Sequence, residues 1–250
     1  MEKKKSHRKL KITLISIAVV LALLIGACTV YLLDYYKADM PAIEAFLAET
    51  GMEYRTLENG NILLAPPDAT KGLIFYPGGK VEHRAYIPLM SALAQRGFLC
   101  VLVEMPFNLA VFDISAADGI RENYPQIEEW YIGGHSLGGS MACSYLEDHH
   151  TEFAGLILLG SYSASDLSQT DLKVLSVYGS EDKVMNRDKY QDGKGNLPSN
   201  LVENILQGGC HAYFGMYGPQ SGDGTPTVTN KEQILTTADL IAAFAGRKVR

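Results

Sequence analysis

Gly134-His135-Ser136-Leu137-Gly138 sets a serine between two glycines at the spacing G-x-S-x-G. Such a serine points to nucleophilic acyl chemistry when a strand leads into it and a helix leads out. The turn then holds the serine in a strained backbone conformation, and the residues two before and two after it must be small for strand and helix to meet. The hydroxyl projects above the sheet, and the Leu137 N–H at the helix start can donate to a developing oxyanion. The motif alone recurs by chance, so its context decides. Here Trp130-Tyr131-Ile132 reads as a strand and residues 137–148, small and apolar, as a helix.

A serine nucleophile needs a base and a carboxylate to orient that base, and after such a turn they follow in the order Ser, acid, His. Val174-Leu175-Ser176-Val177-Tyr178 reads as a strand running into Gly179-Ser180-Glu181-Asp182-Lys183-Val184. Asp182 is the expected orienter, with Glu181 its nearest rival. His211, in Gly208-Gly209-Cys210-His211, is the only histidine after residue 150 and so the expected base. His7 sits in a basic flank, His149 and His150 close a helix where a cation suits the dipole, and His135 is the variable position of the motif. His83 is expected in a solvated or capping role. The expected chemistry is acyl transfer through Ser136, His211 and Asp182.

A second oxyanion donor belongs on the loop after the strand at 73–76. That loop is Pro77-Gly78-Gly79-Lys80, so Gly79 N–H is the expected donor and Lys80 N–H the next choice. As a phosphate cradle it lacks both the spacing and the Lys-[Ser/Thr] ending. Residues 191–196 read as a mobile surface loop.

The elements that must position these residues alternate along the chain. Strands are expected at 62–65, 73–76, 98–103, 130–132, 155–159, 174–178 and 201–206. Helices are expected at 41–50, over a stripe of Tyr86, Leu89, Met90, Leu93 and Ala94, weakly at 116–123, then at 137–148 and 231–245. Almost wholly apolar strands separated by helices predict an α/β fold with a mainly parallel sheet covered on both faces, which binds ligands at the carboxyl ends of its strands.

Charge divides the chain further. Its 250 residues carry 22 Lys+Arg and 28 Asp+Glu, a net of −6. Residues 1–11 hold six of the bases and one acid, and 12–33 is a run of 22 uncharged residues, which leaves 16 bases against 27 acids from residue 12 onward. A body with that deficit excludes nucleic acid and an anionic lipid surface as its main partner. As a helix the uncharged run reaches ~33 Å, enough to cross a membrane, and the basic flank places its N-terminal side in the cytoplasm. The expected organisation is a cytoplasmic flank at 1–11, a transmembrane signal anchor at 12–33, a connecting segment with a short helix at 34–59, and an extracytoplasmic catalytic domain at 60–250. A cleaved signal peptide and a lipoprotein anchored at Cys28 of Ile25-Gly26-Ala27-Cys28 are the rivals, but the apolar run continues past Cys28. The cysteines Cys28, Cys100, Cys143 and Cys210 have neither disulfide nor zinc spacing, and Cys210 is read as a residue that could line a pocket. The chain has no N-x-[Ser/Thr] sequon, which favours a bacterial exported protein.

Together these residues resemble the α/β-hydrolase family, in particular its dienelactone-hydrolase-like members. The resemblance runs over most of 60–245. It is carried by Phe75-Tyr76-Pro77-Gly78-Gly79-Lys80-Val81, Met105-Pro106-Phe107-Asn108-Leu109-Ala110, Gly134-His135-Ser136-Leu137-Gly138-Gly139, Gly179-Ser180-Glu181-Asp182 and Gly208-Gly209-Cys210-His211-Ala212-Tyr213-Phe214-Gly215. It implies an α/β-hydrolase fold and a serine hydrolase with Ser136, Asp182 and His211 as its triad, without cofactor or metal. The Pro-Gly-Gly loop departs from the His-Gly-Gly type of lipases and esterases. Short connections leave no room for a large lid, so a small open cleft is expected, with Tyr213, Phe214, Tyr217, Phe107 and Phe112 as possible lining. The leading expectation is a membrane-anchored hydrolase of a carboxylic ester. A peptidase, an acyltransferase and a catalytically silent envelope scaffold are the alternatives. Small-molecule, lipid and glycan esters stay open as substrates, and oligomeric state is not readable.

Overall fold

The computed structural model describes residues 2–246, in two compact units divided between Tyr35 and Tyr36. The first is one helix, α1 (Glu2–Leu33). Its stretch Thr13–Leu33 is long and apolar enough to cross a membrane by length and composition, and none of it is buried.

The second unit starts with α2 (Met40–Thr50), capped by the Asp39 side chain and ended by Gly51. Ile43 and Phe46 tie α2 into the core. Among the described residues, eight strands form one sheet in the order β1-β2-β4-β3-β5-β6-β7-β8. The strands are β1 (Arg55–Thr56), β2 (Ile62–Leu64), β3 (Lys71–Tyr76), β4 (Phe98–Leu102), β5 (Glu129–His135), β6 (Gly155–Leu159), β7 (Lys173–Gly179) and β8 (Val202–Leu206). β1 and β2 are antiparallel additions, and from β4 to β8 the neighbours are parallel.

Parallel neighbours need crossovers, supplied by α3 (Ile87–Ala94) after β3 and α4 (Leu137–His149) after β5. With α6 (Asn230–Ala245), α3 covers one face of the sheet and α4 the other. The strand period of two distributes the apolar side chains accordingly. Leu73 and Phe75 of β3 join the core under α3 and α6, while Ile74 and Tyr76 join the core under α4. A strand buried on both faces has no polar side to show, which is why these segments read as unbroken apolar runs.

All the expected strands form, with ends shifted by no more than three residues. Two expectations fail. Residues 116–123 are a series of turns with one short 3₁₀ segment, Arg121–Asn123, because Gly119 in their middle takes φ +71°, which no right-handed helix accommodates. Residues 191–196 are the end of a helix rather than a loop. Helix α5 (Arg187–Gly193), capped by the Asn186 side chain, runs into a 3₁₀ turn, Lys194–Asn196. A helix that buries Tyr190 and Gly193 but is otherwise charged or polar has no apolar stripe to read.

Gly119 offers a test by sign. In a helix interior Gly119→Ala would stabilise by about 1 kcal/mol. With φ +71° and open space around the position, it is expected instead to destabilise by about 1 kcal/mol, measured as a lower denaturant midpoint.

Candidate active site

Ser136 is the single residue between β5 and α4, and its backbone is forced to φ 52°, ψ −121°. The crossing is close. A Cβ on Gly134 would lie 2.5 Å from the Gly138 carbonyl carbon, and one on Gly138 would lie 2.3 Å from the carbonyl oxygens of Tyr76 and Pro77. The strained turn is pinned from β6 and just beyond it. Ser136 N–H donates to Leu159 O at 2.9 Å, and Ser161 Oγ donates to Ser136 O at 2.7 Å.

The loops after β7 and β8 bring the acid and the histidine together. Asp182 and His211 are both buried, with Asp182 Oδ2 2.8 Å from His211 Nδ1. The other oxygen, Oδ1, accepts the N–H groups of Val184 at 3.0 Å and Met185 at 2.9 Å, which fixes the carboxylate's orientation. Glu181 is turned aside and accepts from the Ser180 hydroxyl. His211 Nε2 is buried and has no hydrogen-bond partner. Its ring lies 4.4 Å, centre to centre, from that of His135, the residue before Ser136. The structure thus gathers Ser136, Asp182 and His211 at the carboxyl ends of β5, β7 and β8 without a hydrogen bond between Ser136 and His211.

Of the two amides considered for the oxyanion, Lys80 N–H is engaged by Asn108 O at 2.7 Å. Gly79 and Leu137 are adjacent, since a Cβ on Gly79 would come within 2.9 Å of Leu137 Cδ2. Leu137 N–H is the first amide of the 13-residue α4, where the helix leaves N–H groups unpaired. Strain is concentrated here as well. Among the described residues, the non-glycine positions with positive φ are Lys80, Phe107, Asn108 and Ser136, all on the serine turn or the two hydrogen-bonded loops beside it. Such outliers cluster where surrounding structure over-determines the backbone.

A cleft of about 640 Å³ opens beside Leu137, lined by Ser140, Met141, Tyr162, Lys189 and Asn196 among others. The segment 191–196 therefore forms one wall of the cleft. Of the aromatics named as lining, Phe214 and Tyr217 are core residues and Tyr213 packs against the core, whereas Phe107 and Phe112 are exposed. Cys210 likewise packs in the core, with its thiol pushed up to about 12 by burial. A further cavity of about 510 Å³, bordered by Arg121, Glu129 and Trp130, lies at the opposite end of β5.

The sequence model of the alpha/beta hydrolase family matches residues 72–235, a span that runs from the second residue of β3 through the first turns of α6 and takes in every residue of this site. The chain belongs to the alpha/beta hydrolase family. No curated protein sequence matches it. Its fold is shared with a dienelactone hydrolase from Anabaena variabilis at TM-score 0.59 and 14% identity, over 80% of this chain and 99% of that one. A predicted CIB-like hydrolase from Thermoplasma acidophilum aligns at TM-score 0.54 and 15% identity, over 77% of this chain and all of the other. TT1662 from Thermus thermophilus aligns at TM-score 0.55 and 15% identity, over 78% and 95% of the two chains.

Sequence reasoning missed a polar link beneath the site. Tyr86 accepts Gly78 N–H at 3.1 Å, and its hydroxyl lies 2.7 Å from His135 Nδ1, all of it buried. With Gly78 donating to the tyrosine oxygen, Tyr86 O–H is free to donate to a neutral His135. The glycine loop and the serine turn are thereby joined. Burial first, and the neighbouring His211 second, hold the His135 pKa well below its usual value. The only sequence signal was a histidine inside an otherwise apolar strand end. His83 is also buried rather than solvated, and burial lowers its pKa against the opposing charges of Glu104 and Glu82.

Both depressed histidines make the fold acid-sensitive. The unfolded chain takes up protons on them near pH ~6.5 that the folded chain refuses, so their contribution is intact above that pH and is lost as pH falls below it. Denaturant titrations between pH ~7.5 and ~5 should show stability falling at up to about 1.4 kcal/mol per pH unit for each histidine. His83→Gln should remove its share of the slope.

Proposed function

We propose that this chain is a membrane-anchored serine hydrolase that cleaves a carboxylic ester through an acyl-enzyme. The observation that carries the reading is the buried Asp182–His211 pair, with Nε2 of the imidazole unpartnered beside the strained Ser136 turn. In the proposed cycle His211 Nε2 takes the Ser136 proton as Oγ attacks the carbonyl carbon. Asp182 holds Nδ1 and offsets the imidazolium charge, and the N–H groups of Gly79 and Leu137 donate to the oxyanion. Collapse expels the alcohol, which receives the proton from Nε2. Water then attacks the acyl group, with His211 again as base, and frees the acid and Ser136. Apo geometry in which serine and histidine are not yet hydrogen-bonded is common at such sites and tightens when substrate binds.

The anchor belongs to the same proposal. The uncharged helix supports a single span, and the six bases before it support a cytoplasmic N-terminus with the hydrolase body outside.

A fluorophosphonate probe should label the folded protein at Ser136 and leave Ser136→Ala unlabelled. Absence of labelling in the parent would sink the hydrolase reading. Asp182→Asn should label and turn over ester slower by roughly 10³–10⁴-fold at neutral pH. For the anchor, Cys28→Ala should stay in the membrane fraction, with a C-terminal reporter open to protease on intact cells. Release of Cys28→Ala from the membrane would mean a lipoprotein instead.

A further inference from the structure

Beyond Leu33, five large apolar side chains are exposed among the described residues, and four of them lie in one eight-residue stretch. They are Phe107 and Phe112, each 56% exposed, Val111 at 45% and Ile114 at 36%. Scattered exposed apolar residues need no explanation, but a cluster of this kind marks a contact surface. Nor is this stretch a loose loop. Asn108 O takes the Lys80 N–H at its start, and Ile114 O takes the Tyr76 hydroxyl at 2.7 Å near its end. Both fastenings come from residues flanking Pro77-Gly78-Gly79. Turns at Phe112 N–H to Leu109 O and Asp113 N–H to Ala110 O brace the interior. Phe107 and Phe112 meet edge to face at 5.8 Å, and Phe107 is held at φ 54°. The backbone thus keeps these side chains turned outward, against the hydrophobic effect, directly beside the proposed oxyanion donor.

The chain that follows the uncharged helix supplies the occupant. Tyr36, three residues past Leu33, donates its N–H to Lys80 O at 2.8 Å and accepts Glu82 N–H at 2.9 Å. Lys80 is therefore bonded through its carbonyl to the incoming chain and through its amide to the apolar stretch. Three residues are about 10 Å of chain at full extension. Between Met105 and Ile120 there is no base, and the charged residues are Asp113 and Asp118. A surface of aromatic and aliphatic side chains without bases suits hydrocarbon and not anionic headgroups.

We infer that Phe107, Val111, Phe112 and Ile114 form a hydrocarbon-contacting rim of the active site, and that the ester acted upon is carried by a lipid of the bilayer. The inference rests on the anchored-hydrolase reading and deepens it by naming the substrate class. A lipid ester held against this rim, beside the oxyanion loop, would be presented to Ser136 without crossing water. Because the contact is apolar, it does not require anionic lipid and does not weaken with salt.

The test uses the full chain in phosphatidylcholine nanodiscs. Trp130, the only native tryptophan, is buried, so a reporter at Phe112→Trp reads its own surroundings. Brominated phosphatidylcholine should quench the added emission by about half or more, as expected for a ring at the acyl boundary. Ile205→Trp, at the exposed position on β8, should keep its emission. Equal quenching at both positions, or none at residue 112, overturns the rim. So does a blue shift at residue 112 that grows with protein concentration in detergent alone, which would assign a second copy as the partner. Separately, the double variant Val111→Ser/Phe112→Ser should lower the ratio of bilayer-ester turnover to short-chain soluble-ester turnover by about tenfold, a difference of ~1.4 kcal/mol. An unchanged ratio overturns the substrate class. The fluorescence readout needs no turnover, so a failed rim is distinguishable from a failed hydrolase reading, which shows as loss of fluorophosphonate labelling.

Discussion

Everything at the site depends on how closely β5 and α4 approach around Ser136. Strand and helix meet where Gly134 and Gly138 leave no room even for a methyl group, against each other and against the carbonyls of Tyr76 and Pro77. The serine between them has φ 52°, a conformation that costs a non-glycine residue on the order of 1–3 kcal/mol. It persists because β6 and the segment just beyond it hold the turn from beneath, through Leu159 O and the Ser161 hydroxyl. The same closeness puts the first amide of α4 next to the glycine loop that follows β3. One crossing therefore sets where the hydroxyl points, where the helix begins and how near the second loop can come.

Burial then sets the electrostatics. A carboxylate as enclosed as Asp182 would be costly without partners, and it has three: two backbone amides on Oδ1 and the imidazole on Oδ2. In the proposed cycle a histidine cation forms beside it. His135, whose ring lies 4.4 Å from that of His211, would oppose that cation if it were also charged. Burial keeps His135 neutral, and its hydrogen bond with Tyr86 gives the neutral ring a structural task. The two neighbouring imidazoles are thus held by different partners, one by a carboxylate and the other by a phenol.

The parallel sheet was readable because β3 to β7 are buried on both faces and so appear as apolar runs, as in Leu73-Ile74-Phe75-Tyr76. Ser136 and Asp182 stand at the carboxyl ends of such runs, whereas His211 follows the half-exposed edge strand β8 and stood out as the only histidine after residue 150. What escaped reading lacked that contrast. Helix α5 buries little beyond Tyr190, and residues 116–123 carry a helical pattern that one left-handed glycine interrupts. The Tyr86–His135 link joins residues 49 apart that carry no spacing signal of their own. Phe107 and Phe112 looked like cleft lining because an aromatic in a loop reads the same whether it faces in or out. Only the hydrogen bonds from Lys80 and Tyr76 show which way their stretch is held.

Magnitudes separate the roles of the uncharged helix and the apolar rim. At ~25 cal/mol per Å² of apolar surface removed from water, a few partly exposed side chains contribute only a few kcal/mol, comparable with the marginal hold of a single acyl chain on a bilayer. A 21-residue apolar span exceeds that by far, and the body is net acidic, with 16 bases against 27 acids from residue 12 onward. In the anchored reading proposed above, retention is the work of the span. On the same reading the rim need not be strong, because a short tether would keep its effective concentration at the surface high whatever its own affinity. A weak apolar contact next to the oxyanion loop is suited to orienting the site toward hydrocarbon while still letting product leave. A stronger one would slow release without improving retention.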